Sequence, residues 1–124
     1  MFARWGKKTS DDPQFSPVGP EILDLEVTVH GCSMGCRWCY KDNSNADAIY
    51  MDFATFKNIL DKMPDTLTQI AFGITDIKSN PDFMEMMRYT KSKGIIPNFT
   101  MTGIDLTDET ANEVASLCGA VAIS

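Results

Sequence analysis

The stretch Leu23-Asp24-Leu25-Glu26-Val27-Thr28-Val29-His30 alternates apolar and polar residues without a break, and the next residues are Gly31 and Cys32. Side chains alternate across an extended strand, so Leu23, Leu25, Val27 and Val29 share one face. Asp24, Glu26, Thr28 and His30 share the other. A second polar set, Asn98, Thr100 and Thr102, recurs in a later strand beginning at Pro97, whose missing N–H places it at the strand's start. Strands sandwiched in a layered sheet bury both faces and read as continuous apolar runs. Polar residues gathered on one side of parallel strands suit the interior of a barrel with a working lumen, and Glu26 and Thr28 are the lumen candidates.

Outward from this stretch the pattern alternates strand and helix. Asp52 is placed to cap a helix with an apolar stripe of Phe53, Phe56, Ile59, Leu60 and Met63, ended by Pro64. Leu67 to Phe72 forms the next strand, stopping at Gly73. Asn80 and Pro81 give a cap and a first-turn proline for a helix with Phe83, Met84 and Met87 inside, closed by Gly94. Met84, Met86 and Met87 read as core with one of them exposed. Thr107 caps a third helix carrying Ala111, Val114, Leu117 and Cys118, and Ala120 to Ile123 is the last strand.

Alternation of this kind predicts an α/β fold with right-handed crossovers and a parallel sheet, organised as a partial TIM-like barrel. A full barrel takes about 250 residues, and this chain has 124. Four strands leave three readings: a fragment, a barrel completed by a second chain, or a smaller sheet. Residues 1–20, with Pro13, Pro17, Gly19 and Pro20, are expected to form an irregular lead-in anchored by Trp5 and Phe15, and residues 21–124 to form the core.

Composition narrows the function. Residues are 44% hydrophobic and 23% charged, as in a folded domain and unlike an acidic disordered tail. A formal charge of -6 argues against nucleic-acid binding through a basic surface. No apolar run is long enough to span a membrane, and the opening residues lack a secretion signal, so a cytoplasmic location is expected.

The cysteines carry the chemistry. Three of the four lie in Gly31-Cys32-Ser33-Met34-Gly35-Cys36-Arg37-Trp38-Cys39-Tyr40, at the carboxyl end of the first strand, where parallel barrels keep their active sites. Clustered thiols in a reducing compartment read as metal ligands, not as a disulfide framework. Gly31 and Gly35 allow the tight turns that wrap C-x3-C-x2-C around a compact object. Three cysteines leave one iron of a [4Fe–4S] cluster open. The alternative is a zinc site of three cysteines with His30 as fourth ligand. Cys118, on the apolar stripe of a helix, reads as a small buried hydrophobe.

This segment, with Trp38 just before the third cysteine, resembles the signature of the radical S-adenosylmethionine (SAM) enzymes. The resemblance extends from about Glu21 to Ser124, the first half of that family's core. It implies that Cys32, Cys36 and Cys39 each ligate one iron and that SAM binds the fourth. Reductive cleavage of SAM would then give methionine and a 5′-deoxyadenosyl radical that abstracts hydrogen from a substrate. Trp38 would pack on the adenine or shield the cluster. The family's Gly-Gly-Glu turn after the second strand reads here as Gly73-Ile74-Thr75-Asp76, one glycine surviving and Asp replacing Glu. The resemblance implies Gly73 and Asp76 as SAM contacts, leaves Ile74 and Thr75 open, and places Ser124 near the ribose. It also implies an external electron donor of flavodoxin or ferredoxin type, and it leaves the substrate unknown. The contrasting expectation is a non-catalytic metal-binding module that needs a partner chain.

Overall fold

The computed structural model describes residues 19–42 and 44–124. Most of the expected lead-in, with Trp5 and Phe15, lies outside the described residues. In chain order the elements are β1 (Ile22–Glu26), β2 (Thr28–Val29), β3 (Ile49–Tyr50), α1 (Phe53–Leu60), β4 (Gln69–Gly73), a short 3-10 turn (Ile77–Ser79), α2 (Phe83–Ser92), β5 (Ile96–Met101), α3 (Asp108–Leu117) and β6 (Ala120–Ile123). The fold is α/β: β1, β4, β5 and β6 form a parallel sheet in that order, and β2 pairs with β3 in a small antiparallel ribbon.

Local chemistry explains where the helices start. The Asp52 carboxylate accepts the Thr55 N–H at 2.7 Å, and the Thr107 hydroxyl accepts from the Thr110 N–H in a reciprocal capping box. Asn80 departs from the expected cap. Helix α2 begins only at Phe83, and the buried Asn80 amide turns inward, donating to the carbonyls of Val27 and Met51 at 3.1 Å each. Its side-chain oxygen accepts the Asp82 N–H at 2.9 Å. One side chain thereby joins the end of β1, the strand before α1 and the entry to α2. Within α2, Met86 and Met87 are fully buried and Met84 is half-buried, so none of the three is exposed.

Every crossover between sheet neighbours steps one strand further in the same direction. Right-handed crossovers in a single direction put all helices on one face, whereas a doubly wound sheet reverses and covers both. Burial follows that logic. Leu25, Phe72 and Phe99 are in register across β1, β4 and β5, and the last two are buried. Phe56 packs on Phe72, Phe72 on Phe83 and Phe83 on Phe99, with centroids 5.1–5.5 Å apart, so rings alternate between helix and strand through the core. Met86, Met87, Ile70, Met101 and Val114 fill the rest.

The other face stays open and polar. Asp24, Ala71, Asn98 and Ala120 form one row across the sheet, and Glu26, Gly73, Thr100 and Ala122 form the next. Asn98 holds its neighbours on both sides, donating to the Gln69 side chain at 3.1 Å and accepting the Ala120 N–H at 2.8 Å.

One expectation is corrected here. The first strand does not run unbroken to His30: it leaves the sheet after Val27, whose N–H still reaches the Gly73 carbonyl at 2.8 Å. Thr28 and Val29 then pair with Tyr50 and Ile49. Thr28 is only 1% exposed, so it lies in the interior and not on the open face, whereas Glu26 does face the open side. The pairing with Ile49–Tyr50 is what redirects the chain. No helix among the described residues is long and apolar enough to cross a membrane.

Candidate functional site

The strand-to-loop junction after β2 is built on positive φ angles, at His30 (62°), Gly31 (67°) and Gly35 (57°). Glycine adopts these freely, and at Gly31 a Cβ would also come within 2.9 Å of Ala48. The neck of the cysteine loop is closed by two backbone bonds, Gly31 N–H to Ala46 and Cys32 N–H to Ser44. Further along, the Cys39 N–H donates to the Cys36 carbonyl at 3.1 Å and the Asp42 N–H to that of Cys39, so Cys36 and Cys39 bracket a single turn.

A cavity of about 700 Å³ lies between this loop and the open face of the sheet, at the carboxyl ends of the strands. Cys32, Cys36 and Cys39 all line it, together with Trp38, Gly73 and Ser124. The structure therefore brings six of the seven sequence-predicted site residues to one cavity. Asp76 is the exception. It is buried behind the rim, where its carboxylate accepts the Ile77 N–H at 2.7 Å and the Thr102 hydroxyl, tying the ends of β4 and β5 together. Ile74 and Thr75, at the same turn, do line the cavity.

All four cysteines are free thiols, with Cys36 exposed and Cys32 and Cys39 half-buried. Among the described residues no three of His, Cys, Asp and Glu converge on a common point where a metal ion could sit. His30 instead has its Nδ1 3.4 Å from the Ser44 hydroxyl. Trp38 is 85% exposed and Tyr40 90% exposed, an unusual cost for two large rings beside a cavity. Cys118 stands apart at the end of α3, where burial pushes its thiol up to about 11 and Lys91 pulls weakly the other way.

A pair that the sequence did not expose anchors the loop. Lys41 donates to Glu26 at 2.7 Å; the lysine side chain is only 12% exposed, while Glu26 remains 41% exposed. Glu26 in turn leans on Gly73, where a Cβ would lie 2.7 Å from its carboxylate oxygen and 3.0 Å from its Cα. The surviving glycine of the turn thus leaves room for the carboxylate that holds the cysteine loop. Fifteen residues separate Glu26 from Lys41, and no local pattern signals such a pair.

Comparison with curated proteins finds similarity to the tungsten-containing aldehyde ferredoxin oxidoreductase cofactor-modifying protein of Pyrococcus furiosus, 36% identical over 101 residues. The match spans 78% of this chain and 28% of that protein. No family model matches the chain, and no solved structure matches it.

Proposed function

We propose that this chain is the cluster-bearing part of a radical SAM enzyme, its sheet forming part of a TIM-like barrel. The observation that carries the reading is the convergence of Cys32, Cys36, Cys39, Trp38 and Gly73 on one cavity at the carboxyl ends of parallel strands. One-sided helical cover and an open polar face support the barrel geometry. Similarity to a protein named for modifying a cofactor supports an enzyme of that general kind.

The donor set fits the group. Three free thiols spread along a glycine-hinged loop suit a [4Fe–4S] cluster, which takes one thiolate per iron, better than a single zinc that needs every ligand about 2.0–2.3 Å from one point. Cys32, Cys36 and Cys39 would hold the cluster. When bound together, the cluster and SAM supply one-electron cleavage of a carbon–sulfur bond, with the electron delivered by an external donor of flavodoxin or ferredoxin type.

The chain's own residues do the positioning. The Lys41–Glu26 pair fixes the loop against β1, and Gly73 lets the loop's anchor close over the strand ends. Trp38 offers a flat apolar face that can cover an adenine ring or keep water from the thiolates. Ser124 presents a hydroxyl at the end of the last strand. Asp76 contributes from behind the rim, holding the turn whose residues face the ligand.

Air-free reconstitution with iron and sulfide, followed by a SAM-cleavage assay under strong reductant, tests the reading. A brown protein with acid-labile sulfide and reductant-dependent cleavage is expected. A colourless protein that takes up one zinc and no sulfide defeats it.

A further inference from the structure

Cys36 and Cys39 are the first and last residues of a hydrogen-bonded turn, closed by the Cys39 N–H on the Cys36 carbonyl at 3.1 Å. A turn of this kind holds its end Cα atoms less than about 7 Å apart. Disulfide-bonded cysteines have Cα atoms roughly 4.4–6.8 Å apart, so these two thiols can be bridged with little movement of the backbone. The central residues of the turn, Arg37 and Trp38, are exposed, so little packs on it to oppose that adjustment. Cys36 is exposed and Cys39 half-buried on the same cavity, within reach of a small dissolved reagent. Cys32 is held differently. Its N–H bonds to the Ser44 carbonyl at the loop's neck, and among the described residues no backbone bond ties it to Cys36 or Cys39.

We infer that Cys36 and Cys39 form a dithiol that closes reversibly to a disulfide and, when closed, shuts the loop to metal. The inference goes beyond the SAM reading, since it needs only the thiols and holds for an iron–sulfur cluster or a zinc ion alike. The oxidant is a small disulfide, oxidised glutathione. The Cys36 thiolate attacks one of its sulfurs, forming a mixed disulfide and expelling one glutathione thiolate. The Cys39 thiolate then attacks the Cys36 sulfur and expels the second. The S–S bond of glutathione is thus exchanged for one between Cys36 and Cys39, and the two protons lost by the protein end on the two glutathione thiols. The protein pair is oxidised by two electrons and glutathione is reduced by the same two. Only the thiolate is a metal ligand, so closure leaves Cys32 as the single donor thiol of the loop.

The test equilibrates the metal-free full chain, air-free and without denaturant, with excess oxidised glutathione. Free thiols are then blocked with iodoacetamide, and the peptides are mapped by mass. Wild type is expected to carry the Cys36–Cys39 disulfide and to lose iron and sulfide uptake, which returns after reduction with dithiothreitol. Cys32→Ala should close the same disulfide. Cys39→Ala should stop at a glutathione adduct on Cys36. A wild type that carries glutathione separately on Cys36 and Cys39, that pairs Cys32 with either, or that stays fully reduced overturns the inference and leaves the SAM reading intact. Undiminished iron and sulfide uptake by the closed protein overturns it as well. Failure of the reduced wild type to take up iron and sulfide overturns the SAM reading instead, and zinc uptake then reads whether closure shuts the loop.

Discussion

At the scale of single residues, four cysteines divide by environment into two kinds. Cys32, Cys36 and Cys39 sit on a glycine-hinged loop with their side chains partly open to a shared cavity. Cys118 is half-buried beside Val114 and Leu117, and its raised thiol stays protonated at neutral pH. Only a thiolate is a useful iron ligand, so the two kinds should separate in one measurement. Alanine at position 32, 36 or 39 is expected to abolish iron and sulfide uptake. Cys118→Ala should keep full uptake and cost less than about 1 kcal/mol in urea unfolding, the loss of a half-buried sulfur. Equal iron loss from Cys118→Ala would contradict the assignment. The three cysteines, their spacing and Trp38 were all legible in the sequence because they lie within eight residues of each other. The Lys41–Glu26 anchor was not, since it forms only once β1 and the loop fold back together.

At the scale of elements, the strands and helices were legible wherever local rules govern them. Alternation placed β1 and β5, the segment Leu67 to Phe72 stopping at Gly73 placed β4, which spans Gln69–Gly73, and the Asp52 and Thr107 caps placed α1 and α3. What could not be read was the break after Val27, because it depends on a strand partner more than twenty residues away in Ile49–Tyr50. Asn80 belongs to the same class. Its position before Pro81 reads as an ordinary cap, yet its buried amide joins Val27, Met51 and Asp82. Asn80→Ala removes a donor from the buried Val27 carbonyl, which keeps the Met51 N–H, and from the part-buried Met51 carbonyl, and should cost about 2 kcal/mol in urea unfolding. An effect below 1 kcal/mol would mean that water replaces the amide at no loss.

The helices also meet through charge. Asp61, at the end of α1, accepts from Lys57, from Lys93 at 2.8 Å and from the Tyr89 hydroxyl; both lysines lie over the Tyr89 ring. The Lys57 ammonium, followed by Lys93 and Tyr89, holds the Asp61 carboxyl well below the usual carboxylate range. A depressed folded value means that the contribution to stability is present above the unfolded value of about 3.9 and fades as pH falls below it. Lys57 and Lys93 are raised, chiefly by Asp61, so their contribution is present below about 10.4 and is lost at higher pH. Urea midpoints should therefore fall between pH 4 and pH 2 more steeply in wild type than in Asp61→Asn. Parallel acid profiles would show that the network adds nothing beyond its surface contacts.

At the scale of the whole molecule, stability and chemistry sit on opposite faces of one sheet. The helical side contains the interlocked phenylalanines and the buried methionines, so apolar burial dominates its stability. The open side carries the polar rows and the cysteine loop, whose neck is held by two backbone bonds and whose far end is held by Lys41. Trp38, Tyr40 and Cys36 remain exposed on it. A loop so lightly tied gains order from anything that grips its three thiols at once. A ligand that binds the folded chain better than the unfolded one adds about 2.7 kcal/mol at a hundredfold excess over its dissociation constant. Loading with iron and sulfide should therefore raise the thermal midpoint of the wild type by several degrees in air-free melts, and chelation should reverse the gain. Cys36→Ala should melt at the unloaded temperature under both conditions, because the helical side does not depend on the loop. If loading leaves the wild-type midpoint unchanged while iron is demonstrably bound, the metal sits equally well on the unfolded chain. The folded loop would then not be its preorganised home.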